Sequence, residues 1–169
     1  MPNLFTVRLK EISQRLESHP WIEQVRVRKI FPNKILIQIE ERKPIAILQL
    51  DESYYIDTKG VIFSPIGDQD NYNYPFLTGL TRRVLEKDPV EAKRLIMKAL
   101  ELLKIADQQK RAPLEGISEI HMEKTFGIYC FTRDEGVEVR MGWEHFEEKL
   151  KRLSFVWFDL QRRGFSPAS

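Results

Sequence analysis

Hydrophobic and polar positions change rhythm several times along the chain. Over residues 6–18, Leu9, Ile12 and Leu16 recur at three- and four-residue spacing, which predicts one apolar helix face with Thr6 placed to cap it. Pro20 ends that helix. From residue 25 to 30 the pattern alternates: Val25 and Val27 point one way, Arg26 and Arg28 the other. Phe31-Pro32-Asn33-Lys34 reads as a turn, and alternation resumes with Ile35, Ile37 and Ile39. The opening is therefore a helix followed by a hairpin whose polar face is basic.

Pro44 marks a change of style. Short β runs follow at 45–50, 54–57 and 61–64, punctuated by Asp51-Glu52-Ser53 and Asp57-Thr58-Lys59-Gly60. Residues 66–74 read as a polar loop and 75–80 as another short strand. Asp88-Pro89-Val90-Glu91 has the chemistry of a helix start: Asp caps, Pro sits at the first helical position, and Glu follows three residues on. Ala92, Leu95, Ile96, Ala99, Leu100 and Leu103 then form one stripe. Residues 117–141 predict two or three strands, with a turn at Arg133-Asp134-Glu135-Gly136. The last helix carries Trp143, Phe146, Leu150, Leu153, Trp157 and Leu160 on one face. Acids crowd its first turns and bases its end, which complements the helix dipole, and Gly164 suits the C-terminal cap. A boundary between two domains is expected near Arg42–Ile45.

Composition narrows the function. The 169 residues are 42% hydrophobic and 31% charged, a globular mixture. Net charge is +2, and neither half is one-sided, so the field expected of a dedicated nucleic-acid binder is missing. One cysteine, Cys130, excludes an internal disulfide and a Cys-based zinc cluster. No apolar run approaches the roughly 18–20 residues that span a bilayer, so the chain reads as soluble or as a soluble piece of something longer.

Candidate chemistry is sparse. His19, His121 and His145 show no metal-ligand spacing, and the pairing of His145 with Glu148 reads as a solvated helix face. Cys130 lies in the apolar run IYCF and reads as a small strand residue in the core. No nucleophile elbow or phosphate-binding loop occurs. Glu40-Glu41 and Asp134-Glu135 read as solvated acids rather than a catalytic pair. Arg26, Arg28, Lys29, Lys34, Arg42 and Lys43 decorate the hairpin, but Glu23, Glu40 and Glu41 interleave with them. Protein recognition, by strand addition or surface docking, suits such a hairpin better than nucleic acid does.

The run from Pro20 to Gly79 resembles one family. Its carriers are Pro20-Trp21-Ile22, Val25-x-Val27-x-Lys29, Phe31-Pro32-Asn33, Ile37-x-Ile39-Glu40-Glu41-Arg42-x-Pro44-Ile45-Ala46, Asp57-x-x-Gly60-x-x-Phe63 and Pro75-x-Leu77-x-Gly79, with Asn3-Leu4-Phe5 ahead of them. These resemble the FtsQ/DivIB family of bacterial cell-division proteins. From residue 81 onward the resemblance rests on element order and the last helix.

The resemblance implies an α+β fold: a truncated POTRA unit (α-β-β) over residues 1–43, then a β domain over 44–169 with mainly antiparallel strands and two helices. Against the family pattern, the first POTRA strand and helix and the final β-domain strand are expected to lie outside this chain. It implies a non-enzymatic divisome scaffold that links early and late division proteins and binds FtsB and FtsL, with no cofactor and no nucleic acid. It also implies a place on the periplasmic side of the inner membrane at the septum, held by a span absent from this chain. Gln24, Val27 and Lys29 fall on POTRA positions linked to recruitment; Val27, alternating with Arg26 and Arg28, fits a core position equally well. Lys124 falls near a basic position that in the family contacts FtsB. Glu40, Arg42 and Pro44 belong to the domain junction. The alternatives are a client-peptide-binding POTRA module of a translocation or outer-membrane assembly factor, against which the run from Tyr55 to Gly79 speaks, and a cell-wall enzyme, which needs convergent carboxylates.

Overall fold

In a computed structural model, which describes residues 8–67, 70, 73–109, 116–133 and 136–164, helix α1 (Leu9–Glu17) packs on strand β1 (Ile22–Ile30), and β1 pairs with β2 (Lys34–Glu41). Thr6 and Asn3-Leu4-Phe5 lie outside the described residues; Arg8 stands at the helix N-cap and makes no side-chain cap bond. The hairpin is antiparallel, with Val25 opposite Ile39, Val27 opposite Ile37 and Ile30 opposite Lys34. Because side chains alternate, Val25, Val27, Lys29, Ile35, Ile37 and Ile39 share one face, and Gln24, Arg26, Arg28, Lys34, Leu36 and Gln38 share the other. Arg42 ties the far end of β2 to the start of β1: its N–H donates to the Trp21 carbonyl at 2.8 Å and its Nε to the Pro20 carbonyl at 3.3 Å.

These elements make the first of two units, residues 1–43; the second covers residues 44–169. The second unit is built on β3 (Pro44–Gln49), β4 (Ser53–Asp57), β5 (Ile62–Pro65), β6 (Phe76–Thr78), β7 (Ile117–Glu123), β8 (Gly127–Thr132) and β9 (Glu138–Gly142). They form one sheet in the order β5-β4-β3-β6-β7-β8-β9. The pairings β3–β6 and β6–β7 are parallel and the rest antiparallel. Three helices accompany the sheet: α2 (Arg82–Lys87), α3 (Pro89–Gln109) and α4 (Phe146–Arg162). The short α2 is additional to the two helices expected from the pattern. Its sequence RRVLEK holds only Val84 and Leu85 as apolar positions, too few to show a period, and Thr81 caps it by accepting from Val84 N at 3.4 Å.

The core lies between the sheet and the long helices. Ala46, Leu48, Ile56, Leu77, Ile120, Met122, Ile128, Cys130 and Met141 meet Leu95, Ile96, Ala99, Leu100, Leu103, Phe146 and Leu150 there. Helix α3 starts as its sequence dictates, with Asp88 Oδ1 accepting from Glu91 N at 3.1 Å. Helix α4 starts at Phe146 because His145, at φ 59°, breaks the helical path; Trp143 therefore precedes the helix. Gly164, at φ 76°, follows its end. Among the described residues no helix is long and apolar enough to cross a membrane.

Two of the sequence motifs resolve into scaffold chemistry. In Asp57-x-x-Gly60, buried Asp57 accepts from Lys59 N at 2.8 Å and Val61 N at 2.9 Å, closing the β4–β5 turn, while Gly60 takes the left-handed conformation. In Pro75-x-Leu77-x-Gly79, the Pro75 carbonyl accepts from Ile47 N and Leu77 is fully buried. Gly79, at φ 90°, lets β7 pass so close that a Cβ there would sit 2.1 Å from the Met122 carbonyl oxygen.

Candidate interaction surfaces

The three hairpin positions that the family resemblance points to do not share a face. Val27 is half-buried beside buried Val25, and Lys29 is exposed farther along the same face. Gln24 stands on the opposite face, where its Oε1 accepts from Arg26 Nη2 at 3.1 Å. The parity of the numbers, even against odd, already carries this division. A flat partner covering Val27 and Lys29 meets an apolar row from Ile35 to Ile39; one covering Gln24 meets Arg26 and Arg28.

Lys124 belongs to the second unit, exposed in the tight turn between β7 and β8. That turn approaches the start of α3 electrostatically. Glu91 receives a two-pronged bond from Arg94, Nε to Oε2 at 2.7 Å and Nη2 to Oε1 at 2.9 Å. The Arg94 fork, with a smaller pull from Lys124, holds the Glu91 carboxyl below its ordinary range. Arg94 in turn lies over the Trp143 ring, 4.7 Å from its centroid. Beside Lys124, Phe126 is largely exposed. The result is a basic and aromatic corner at one end of the sheet, assembled from β7–β8, α3 and the segment after β9.

The sheet ends also differ. Edge strand β5 is four residues long and contains Pro65, which blunts it. Edge strand β9 is five residues long without proline. Thr132 N donates to the Val137 carbonyl, and the register sets Cys130 opposite Val139. Alternation then turns the backbone groups of Glu138 and Arg140 outward, with no further strand beside them among the described residues.

Tertiary pairing produces one cluster that the sequence did not suggest. On the sheet face away from α3 and α4, Thr78 Oγ1 donates to Glu119 Oε1 at 2.6 Å and lies 2.8 Å from His121 Nδ1. Its single proton is committed to Glu119, so Thr78 can only accept from His121, and Nδ1 carries a hydrogen. In a hydrolytic triad the imidazole bridges hydroxyl and carboxylate; here the hydroxyl bridges the other two. The arrangement fits a clamp on the β6–β7 register. No local signal could reveal it, because parallel pairing joins segments some 40 positions apart (|i−j| of 41 and 43).

Of the other residues weighed for chemistry, packing accounts for Cys130. Cys130 is fully buried, and burial pushes its thiol up to about 12, which keeps it protonated and inert. Glu40 and Glu41 are exposed, and Asp134-Glu135 lie outside the described residues. Among the described residues no three His, Cys, Asp or Glu side chains gather as a metal site requires.

Family comparison matches both units. Residues 2–42 match the FtsQ-type POTRA domain, and residues 46–166 match the C-terminal domain of cell division protein FtsQ/DivIB. The chain belongs to the FtsQ/DivIB family. Similar proteins called cell division protein FtsQ occur in Geotalea daltonii, 34% identical over 94% of this chain, and in a Geobacter species, 38% identical over 94%. Another, from Syntrophotalea carbinolica, is 36% identical over 95% of the chain. The chain spans 58%, 58% and 57% of those relatives' lengths, respectively. The POTRA unit is thus the hairpin unit, and the FtsQ/DivIB domain is the seven-stranded unit. The run from Tyr55 to Gly79, set against a translocation or assembly factor on sequence grounds, falls inside the matched C-terminal domain.

Proposed function

We propose that this chain is the extracytoplasmic part of a divisome scaffold, linking early and late division proteins at the septum and binding FtsB and FtsL. It is not an enzyme on this reading; its work is done by surfaces. The observation that carries it is the match of residues 46–166 to the FtsQ/DivIB C-terminal domain, with Lys124 and Phe126 of that domain exposed on the β7–β8 hairpin beside β9. An extended partner segment adds to β9 through main-chain hydrogen bonds, and side-chain contacts select it. Gln24, Val27 and Lys29 of the POTRA unit serve recruitment, with Val27 and Lys29 on one face and Gln24 on the other.

The test separates the two surfaces. Arg140→Pro removes an outward N–H without touching the β8–β9 ladder. It is expected to weaken binding of the soluble parts of FtsB and FtsL at least tenfold, with an unchanged thermal midpoint. Lys29→Glu should leave that binding intact and reduce recruitment of a membrane-anchored form to the septum. Full FtsB binding by Arg140→Pro removes the β9 edge from the proposal, and full septal recruitment of stable Lys29→Glu removes the POTRA face.

A further inference from the structure

The tip of the POTRA hairpin carries a feature that protein recruitment leaves unexplained. Phe31 is 86% exposed and its neighbour Ile30 is 40% exposed, at the most distal turn of the unit's only hairpin among the described residues. An aromatic ring held in water at a convex tip has no packing role. The charges around it are one-sided. Between Gln24 and Ile39 the sequence holds Arg26, Arg28, Lys29 and Lys34 and no acid.

The register groups these cations. Arg28 and Lys34 share the face on which Ile30 and Leu36 lie, within three strand pairings of the turn, and Arg26 stands two residues farther back. Lys29 is exposed on the other face. The acids Glu23, Glu40 and Glu41 are at the base of the hairpin. At about 3.3 Å per residue, Glu23 is roughly 23 Å from the tip along the strand, well beyond a Debye length of about 8 Å at physiological salt. Glu11 on α1 is paired with Arg8 at 2.8 Å. The tip therefore presents an apolar point ringed by positive charge.

We propose that this tip docks on a bilayer bearing anionic lipid. The Phe31 ring and Ile30 pass below the headgroups, while Arg28 and Lys34, with Arg26 behind them, stay at the level of the lipid phosphates on their long apolar stems. Shape favours this partner over other polyanions. A nucleic acid is held by a groove with successive stacking rings, whereas the tip is convex and carries one ring. A planar, deformable surface receives a convex apolar point without needing a matching pocket. The proposal is independent of the β9 edge and of recruitment through Lys29.

The test is flotation of the whole 169-residue chain with phosphatidylcholine vesicles containing or lacking phosphatidylglycerol. Binding is expected only to the anionic vesicles, and to fall as salt is raised. Arg28→Gln with Lys34→Gln should weaken it about thirty-fold, and Phe31→Ser about tenfold. All three positions are exposed, so thermal midpoints should not move. Phe31→Trp should keep binding and gain emission that brominated lipid quenches, which the wild-type chain does not show. Equal binding to neutral vesicles, no binding to anionic ones, or undiminished binding by Phe31→Ser would each overturn the proposal. Binding of RNA or polyglutamate with the same Phe31 dependence, in the absence of vesicle binding, would assign the tip to a soluble polyanion instead.

Discussion

In the seven-stranded unit, Ala46, Leu48, Leu77 and Ile120 are at 0% exposure, while in the hairpin unit Ile37 and Ile39 stand 43% and 50% exposed. Both regions are built from alternating strands rich in β-branched residues. The difference is what covers them. Two long helices lie over one face of the large sheet and close a core there. The hairpin has one nine-residue helix on β1, and Val25 is the one buried apolar side chain of its described residues. A two-stranded sheet is marginal by itself, so stability resides in the second unit while the first presents surface. That division fits the proposed function: the large sheet is held by a closed core, and the hairpin presents the surface that α1 leaves uncovered.

The largest effect should separate the units by burial. Leu77→Ala opens a cavity in central strand β6 and should cost about 3 kcal/mol. Ile39→Ala, half-exposed on β2, should cost under about 1 kcal/mol by the same area argument. Urea denaturation of both variants checks this, and equal losses would mean that the hairpin shares the main core.

A smaller effect probes how closely the large sheet is packed. Gly79→Ala forces a Cβ against the Met122 carbonyl at positive φ and should cost about 2 kcal/mol or more. Gly136, also at positive φ but with nothing within 4 Å, gives the backbone-only control; Gly136→Ala should cost about 1 kcal/mol. A matched pair of losses would show that close strand approach adds nothing.

The smallest effect concerns the Lys124 corner. Glu91 has its carboxyl held below the ordinary value of 4.5, so its stabilising contribution is present above that pH and is lost as pH falls through the depressed folded value. Thermal melts should show wild type above Glu91→Gln at pH 6, with the gap closing below pH 4.5. A gap that widened on acidification would reverse the sign and place Glu91 in an unfavourable setting.

Much of this was legible along the chain because the signals are local. Alternation placed both hairpin strands, Asp88-Pro89 placed the start of α3, and Gly164 placed the end of α4. The motifs around Asp57 and Gly79 carried the family, and each proves to be turn or close-approach chemistry. Helix α2 was hidden because six residues give no period. The separation of Gln24 from Val27 and Lys29 follows from strand parity, which a list of family positions does not display. The Thr78–Glu119–His121 cluster and the corner of Lys124, Glu91, Arg94 and Trp143 depend on which distant strands and helices meet, and no window of sequence contains that. Exposure of Phe31 was equally out of reach, since a turn phenylalanine can pack inward or outward with the same neighbours.

On the proposed function, surfaces of these residues place the protein in the division machinery. Fluorescence imaging of residues 1–169, fused to a membrane anchor and a tag in dividing bacteria, tests it most directly. A band at midcell, weakened by Lys29→Glu, is expected. A uniform envelope signal from a stably folded fusion would contradict it.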